Sequence, residues 1–102
     1  MAATGEKNGN FDVVTAKKIV VTSYNGTPTI KLSDWIGYGG VTTYGANGKF
    51  LVWLGSTENG GIISVFNKTG EEIGQIQADE YGNGVVAAWN RKGMGRTLKP
   101  GP

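Results

Sequence analysis

Short runs of alternating apolar and polar residues, each closed by a polar turn ending in glycine, recur along the chain every 22 to 23 residues. The turn glycines are Gly26, Gly48, Gly70 and Gly93. Before them stand Ile19-Val20-Val21, Val41-Thr42-Thr43-Tyr44, Ile62-Ile63-Ser64-Val65-Phe66 and Val85-Val86-Ala87-Ala88-Trp89. After the first three stand Thr29-Ile30-Lys31-Leu32, Phe50-Leu51-Val52-Trp53-Leu54 and Ile73-Gly74-Gln75-Ile76. Period-two patterning in runs of this length predicts strands, and a fixed period of this size predicts a repeat architecture. The sixth position after the turn glycine is Leu32, Leu54 and Ile76, and the third is Thr29, Leu51 and Ile73, so three copies keep one register. The fourth copy departs: after Gly93-Met94-Gly95, a weaker Arg96-Thr97-Leu98 puts Leu98 at the fifth position. Terminal repeats that cap a stack are commonly atypical.

A second glycine series, Gly37, Gly39 and Gly40, then Gly60 and Gly61, then Gly82 and Gly84, separates the units and predicts a second set of corners. Two corners per unit leave strands of about five to seven residues, near the usual length. Asn25-Gly26 and Asn47-Gly48 carry the signature of type I′ hairpins. Lys68-Thr69-Gly70 and Arg91-Lys92-Gly93 predict turns with glycine in the left-handed region. Tyr44, Phe66 and Trp89 share the slot four residues before the turn glycine, where the first unit has Thr22, with Tyr24 two places later. Residues 1–10 are small and polar and are expected to form a flexible lead-in. Residues 11–98 form the β-repeat domain, and residues 99–102 a tail whose prolines cannot continue a ladder.

Composition narrows the packing. Of 102 residues, only 23 are Leu, Ile, Val or Phe, so the large side chains needed for a closed core are scarce. The 16 Val and Ile against four Leu, with ten Thr, favour strands over helices and predict an all-β protein. Two packings follow. One is a meander closing on itself as a single-chain β-barrel or sandwich. The other is a trimeric β-helix or β-prism, in which short strands wind around a common axis and three copies of the chain complete a triangular prism, sharing one narrow core and covering each other's sheet edges. The glycine corners and the thin apolar content favour the second.

The units Val20-Val21-Thr22-Ser23-Tyr24-Asn25-Gly26-Thr27-Pro28-Thr29-Ile30-Lys31-Leu32 and Ile63-Ser64-Val65-Phe66-Asn67-Lys68-Thr69-Gly70-Glu71-Glu72-Ile73 resemble the β-helical repeats of trimeric stalks and spikes of viruses and phages. Similar strings occur in bacterial surface proteins. The resemblance spans residues 11–98. It implies a homotrimeric, rod-like trimerisation module on a virion or cell surface, holding an adjacent attachment domain of the same fibre in three-fold register. It implies no enzyme.

The candidate chemistry is sparse. The chain has neither Cys nor His, which excludes thiolate and imidazole metal sites and the Ser-His-Asp and Cys-His nucleophilic arrangements. Asp34 and Glu58 lie near glycine corners and invite comparison with a glycosidase pair; they read as solvated turn charges. Asp79-Glu80-Tyr81-Gly82-Asn83-Gly84 has oxygen donors without the spacing of an EF-hand. Gly37-Tyr38-Gly39-Gly40 precedes a strand rather than a helix and lacks the Lys-Ser/Thr of a phosphate loop. No cofactor and no metal is expected. A net charge of +2 is too small for a nucleic-acid footprint, and no apolar run reaches the roughly 20 residues of a membrane-spanning helix. Asn25-Gly26-Thr27 and Asn67-Lys68-Thr69 fit the glycosylation pattern. Arg91, Lys92, Arg96 and Lys99 make the C-terminal end basic, and Glu71, Glu72, Asp79 and Glu80 make the preceding unit acidic, a polarity able to steer contacts between copies.

The expected structural turns are therefore Gly26, Gly48, Gly70 and Gly93. The expected core and assembly residues are Leu32, Val41, Leu54, Val65, Phe66 and Ile76. Trp35, Tyr38 and Trp53 are the candidates for a ligand platform, because flat rings give large contact area at low entropy cost. The ligand class they suit is a host-surface glycan, the alternative to a purely structural role.

Overall fold

The computed structural model describes residues 8–100, which places residues 1–7 of the expected lead-in and residues 101–102 of the tail outside the described part. Eight strands make one open antiparallel sheet in chain order: β1 (Lys18–Thr22), β2 (Pro28–Trp35), β3 (Tyr38–Tyr44), β4 (Phe50–Thr57), β5 (Gly60–Phe66), β6 (Glu72–Ala78), β7 (Gly84–Trp89) and β8 (Gly95–Leu98). The described residues contain no helix. Each 22-residue unit is one hairpin of this meander. The first strand begins at Lys18, later than the start at Phe11 that the sequence suggested, and Phe11, Val13 and Val14 are exposed outside the sheet.

Only neighbouring strands touch, so within one chain the sheet neither closes as a barrel nor folds back as a sandwich. Nor do the strands wind around the common axis that the sequence suggested, because each glycine corner reverses the chain into an antiparallel hairpin with the preceding strand. The molecule measures 58 × 29 × 21 Å, and its radius of gyration is 17.2 Å. A compact domain of this length would have a radius near 13 Å. The single layer explains the difference. Its buried apolar residues are Ile62, Val85 and Ala87, and the most buried side chain is Ser64, at 1% exposure.

Four turns line one end of the strands, each a three-residue loop with glycine last. Ser23, Gly45, Asn67 and Asn90 each accept a hydrogen bond from the N–H of the turn glycine, at 2.9 to 3.0 Å, and pair with Thr27, Lys49, Glu71 and Met94 across the loop. The glycines have φ between 82° and 97°, whereas Asn25 and Asn47 do not enter the positive-φ region. Asn25-Gly26 and Asn47-Gly48 are therefore not type I′ turns. A type I turn followed by a left-handed glycine needs only one positive φ, and the asparagine is used through its side chain: Asn25 Oδ1 accepts from Thr27 N–H and Asn47 Oδ1 from Lys49 N–H. In the later turns the capping side chain opens the loop. Asn67 Oδ1 accepts from the N–H groups of Thr69 and Glu71, and Asn90 Oδ1 from those of Lys92 and Met94. Asn47 Nδ2 also donates to Lys68 O at 3.1 Å, tying two successive turns together.

The other end carries the β2–β3, β4–β5 and β6–β7 connections. Gly39, Gly40 and Gly61 lie within strands rather than at corners. The two-residue type I′ turn occurs here, at Ile36-Gly37, with φ of 49° and 85°. Ile36 is the sole non-glycine residue with positive φ among the described residues, and it is exposed. A β-branched side chain is disfavoured there by roughly 1 to 2 kcal/mol. Because Ile36 contributes little burial, Ile36→Asn is expected to raise stability by about 1 kcal/mol in urea unfolding; an unchanged or lowered midpoint would contradict the left-handed conformation.

Candidate functional site

The register sorts the side chains onto two unlike faces, since successive residues of a strand point to opposite sides. Ile19, Leu32, Val41, Leu54, Ile63, Ile76, Val86 and Leu98 stand opposite one another in seven successive pairings. One residue pair further along the same face lies a second row, Val21, Ile30, Thr43, Val52, Val65, Gly74, Ala88 and Arg96. The first row contains no polar residue. It is also largely uncovered, with Leu32 40%, Leu54 50% and Ile76 53% exposed. Such a contiguous exposed apolar patch marks an interaction surface in a folded protein.

The opposite face is polar and aromatic. Its middle row reads Val20, Lys31, Thr42, Trp53, Ser64, Gln75, Ala87 and Thr97. Ser64 is sheltered because Trp53 and Gln75 flank it directly across the strands, and Gln75 Nε2 lies 3.4 Å from its hydroxyl. Phe50 stacks on Tyr44 with ring centres 5.3 Å apart and meets Phe66 at 6.2 Å, while the Lys31 ammonium sits 4.9 Å from the Tyr44 ring centre. These are favourable aromatic and cation–π distances.

The expected residues distribute across both faces. Leu32, Val41, Leu54, Ile76 and Val65 all lie on the aliphatic face, four of them in one row. Phe66 does not join them; its position at the end of β5 puts it on the aromatic face. A linear reading groups Val65 with Phe66 because both are apolar, but adjacent strand residues necessarily part. Trp35, Tyr38 and Trp53 do come together. They line one cleft of about 430 Å³ on the aromatic face, with Ser33, Thr42 and Phe66 in its walls. Trp35 and Tyr38 pair across the β2–β3 hairpin, and Trp35 is 74% exposed. Trp53 lies over Gly40 and Gly55: a Cβ built on Gly55 would come 2.7 Å from the indole Nε1, and one on Gly40 would come 3.2 Å from it. A Cβ at Gly55 would force the ring to move, whereas one at Gly40 would require it to give by a few tenths of an ångström, a close-approach role legible only once β3 and β4 are seen to pair.

Of the acidic candidates, Asp34 and Asp79 cap turns through their carboxylates. Asp34 Oδ2 accepts from Gly37 N–H at 3.2 Å, and Asp79 Oδ1 accepts from the N–H groups of Tyr81 and Asn83 at 3.0 and 2.8 Å. Among the described residues no three His, Cys, Asp or Glu side chains cluster in a way that could hold a metal ion. The molecule is thus an all-β protein whose single sheet presents one aliphatic and one aromatic face. No protein family's model matches the chain, and no curated protein or solved structure is similar to it.

The glycine floor gives a direct check on the cleft. With Trp35 and Trp89 replaced by Phe, Gly55→Ala is expected to lift the Trp53 ring and shift its fluorescence emission to the red. An emission spectrum unchanged by Gly55→Ala would mean that the indole does not rest on Gly55.

Proposed function

We propose that this chain is a structural assembly module, a homotrimer in which three sheets turn their aliphatic faces inward as a β-prism. It would serve as the stalk of a spike, fibre or surface protein and hold a neighbouring attachment domain in three-fold register. The observation that carries this reading is the uninterrupted aliphatic row spanning all eight strands with nothing covering it. Eight strands about 4.8 Å apart and roughly five residues long, at about 3.3 Å per residue, offer a face of about 600 Å². That approaches the roughly 800 Å² per partner of a standard protein interface. A copy of the same chain is the partner that fits best, because the central row bears no charge for a polar partner to satisfy, and identical faces cover one another. The three buried apolar residues of the isolated sheet are too few to support a folded domain alone.

Leu54→Asp tests this. A carboxylate in the middle of the buried row would be desolvated without a partner, at a cost of several kcal/mol. The variant is expected to sediment as a single chain and to melt well below the wild type. A variant with wild-type mass and melting temperature would remove Leu54 from the interface.

A second reading rests on the convergence of Trp35, Tyr38 and Trp53 in one cleft. Exposed rings beside the Ser33 and Thr42 hydroxyls suit a neutral sugar, whose C–H face stacks on indole while its hydroxyls bond at the wall. On this reading the module also binds a surface glycan. Neutral oligosaccharides are expected to quench tryptophan fluorescence saturably, and Trp35→Ala to weaken that response; the absence of any saturable quenching across a glycan panel would eliminate it.

A further inference from the structure

We propose that copies of this chain meet along their turn rows, the basic row of one against the acidic row of the next, so that the assembly is cyclic and its copies run parallel; this rests on the assembly reading above. The meander sends alternate turns to opposite ends of the strands, and the charges divide accordingly. At the end with the four three-residue turns, Lys68, Arg91 and Lys92 lie within the loops and Lys49 directly follows one, against Glu71 and Glu72. At the other end, Glu58, Asp79 and Glu80 lie in the connections and Asp34 stands near the end of β2, and no base occurs in those turns. The positive charges at that end, Lys17, Lys18 and Lys99, are confined to the outermost strands β1 and β8 and their flanks.

This polarity runs along the strands, not along the chain as the sequence pattern suggested. It therefore acts on how copies are rotated about each other. A rotation axis along the sheet's long dimension, perpendicular to the strands, brings a basic turn row against an acidic one at every junction. A two-fold axis parallel to the strands stacks like rows on like. Complementary rim charges contribute little affinity but select orientation, because like charges in contact are costly. The aliphatic face is nearly featureless along its rows and does not itself choose between these arrangements, so the turn charges are the element that can.

The test uses the full chain at low salt. Lys68→Glu with Lys92→Glu reverses two basic-row charges; each reversal changes the charge by two units, taking the net from +2 to −2 and leaving its magnitude unchanged. Glu58→Lys with Glu80→Lys reverses two acidic-row charges. None of these four side chains makes a hydrogen bond in the turns, and the capping residues Asp34 and Asp79 are retained. Each pair alone is expected to weaken self-association by about tenfold, with the loss shrinking at high salt. All four substitutions together are expected to recover much of it, since the two introduced lysines balance Asp34 and Asp79 and the once-acidic row no longer repels the reversed one. Wild-type association in the Lys68→Glu, Lys92→Glu chain, or failure of the fourfold variant to recover, would overturn the row-to-row arrangement while leaving Leu54-dependent assembly intact. A wild-type chain that does not associate would instead overturn the assembly reading, and the arrangement with it.

Discussion

The constraint on which this structure depends is the aliphatic row from Ile19 to Leu98, which the described residues leave largely uncovered. Backbone hydrogen bonding satisfies the interior strands but contributes modestly once exchange with water is counted. Side-chain packing must supply the remainder, and on the aromatic face it is confined to Ser64, Ile62, Val85, Ala87 and the rings around them. A single layer leaves its other face to water. A second layer is what most sheets use to stabilise themselves, and here the chain itself provides none among the described residues.

The irregularities of the repeat show how firmly that row is held. In the first three hairpins, a bulge beside the turn places Thr29, Leu51 and Ile73 as extra residues, visible as register shifts next to Thr22, Tyr44 and Phe66. The fourth hairpin has no such shift: Trp89 pairs with Gly95 and Ala88 with Arg96. It also lacks one residue before Leu98. The deletion and the missing bulge cancel, so Leu98 arrives opposite Val86, in the same row as Leu32, Leu54 and Ile76. Likewise the β6–β7 connection is longer than the two before it, which accounts for the 23-residue spacing without moving Val86 off the row. A one-residue slip would have turned these side chains to the other face.

Much of this was legible in the sequence. The strand pairs, the four turn glycines and the sixth-position aliphatics all follow from period-two patterning. What the sequence hid was non-local. Asn25 and Asn47 look like left-handed turn residues, yet they act as side-chain caps, and the distinction rests on loop length rather than on the dipeptide. Ile36 gives no local sign of a type I′ turn, because tertiary pairing of Trp35 with Tyr38 imposes it. The apparent charge blocks along the chain became turn rows only when alternate connections fell at opposite ends. The ligand-platform residues Trp35, Tyr38 and Trp53 were named from their aromatic character, and pairing of β2, β3 and β4 is what brings them into one cleft.

The most direct measurement is the solution mass of the unmodified chain by size-exclusion chromatography with light scattering, over a dilution series. Three times the 10.7 kDa chain mass, held on dilution, is expected if the aliphatic row is buried between copies. A mass of 10.7 kDa at every concentration would mean that a folded chain leaves this row in water, and would contradict the trimeric stalk.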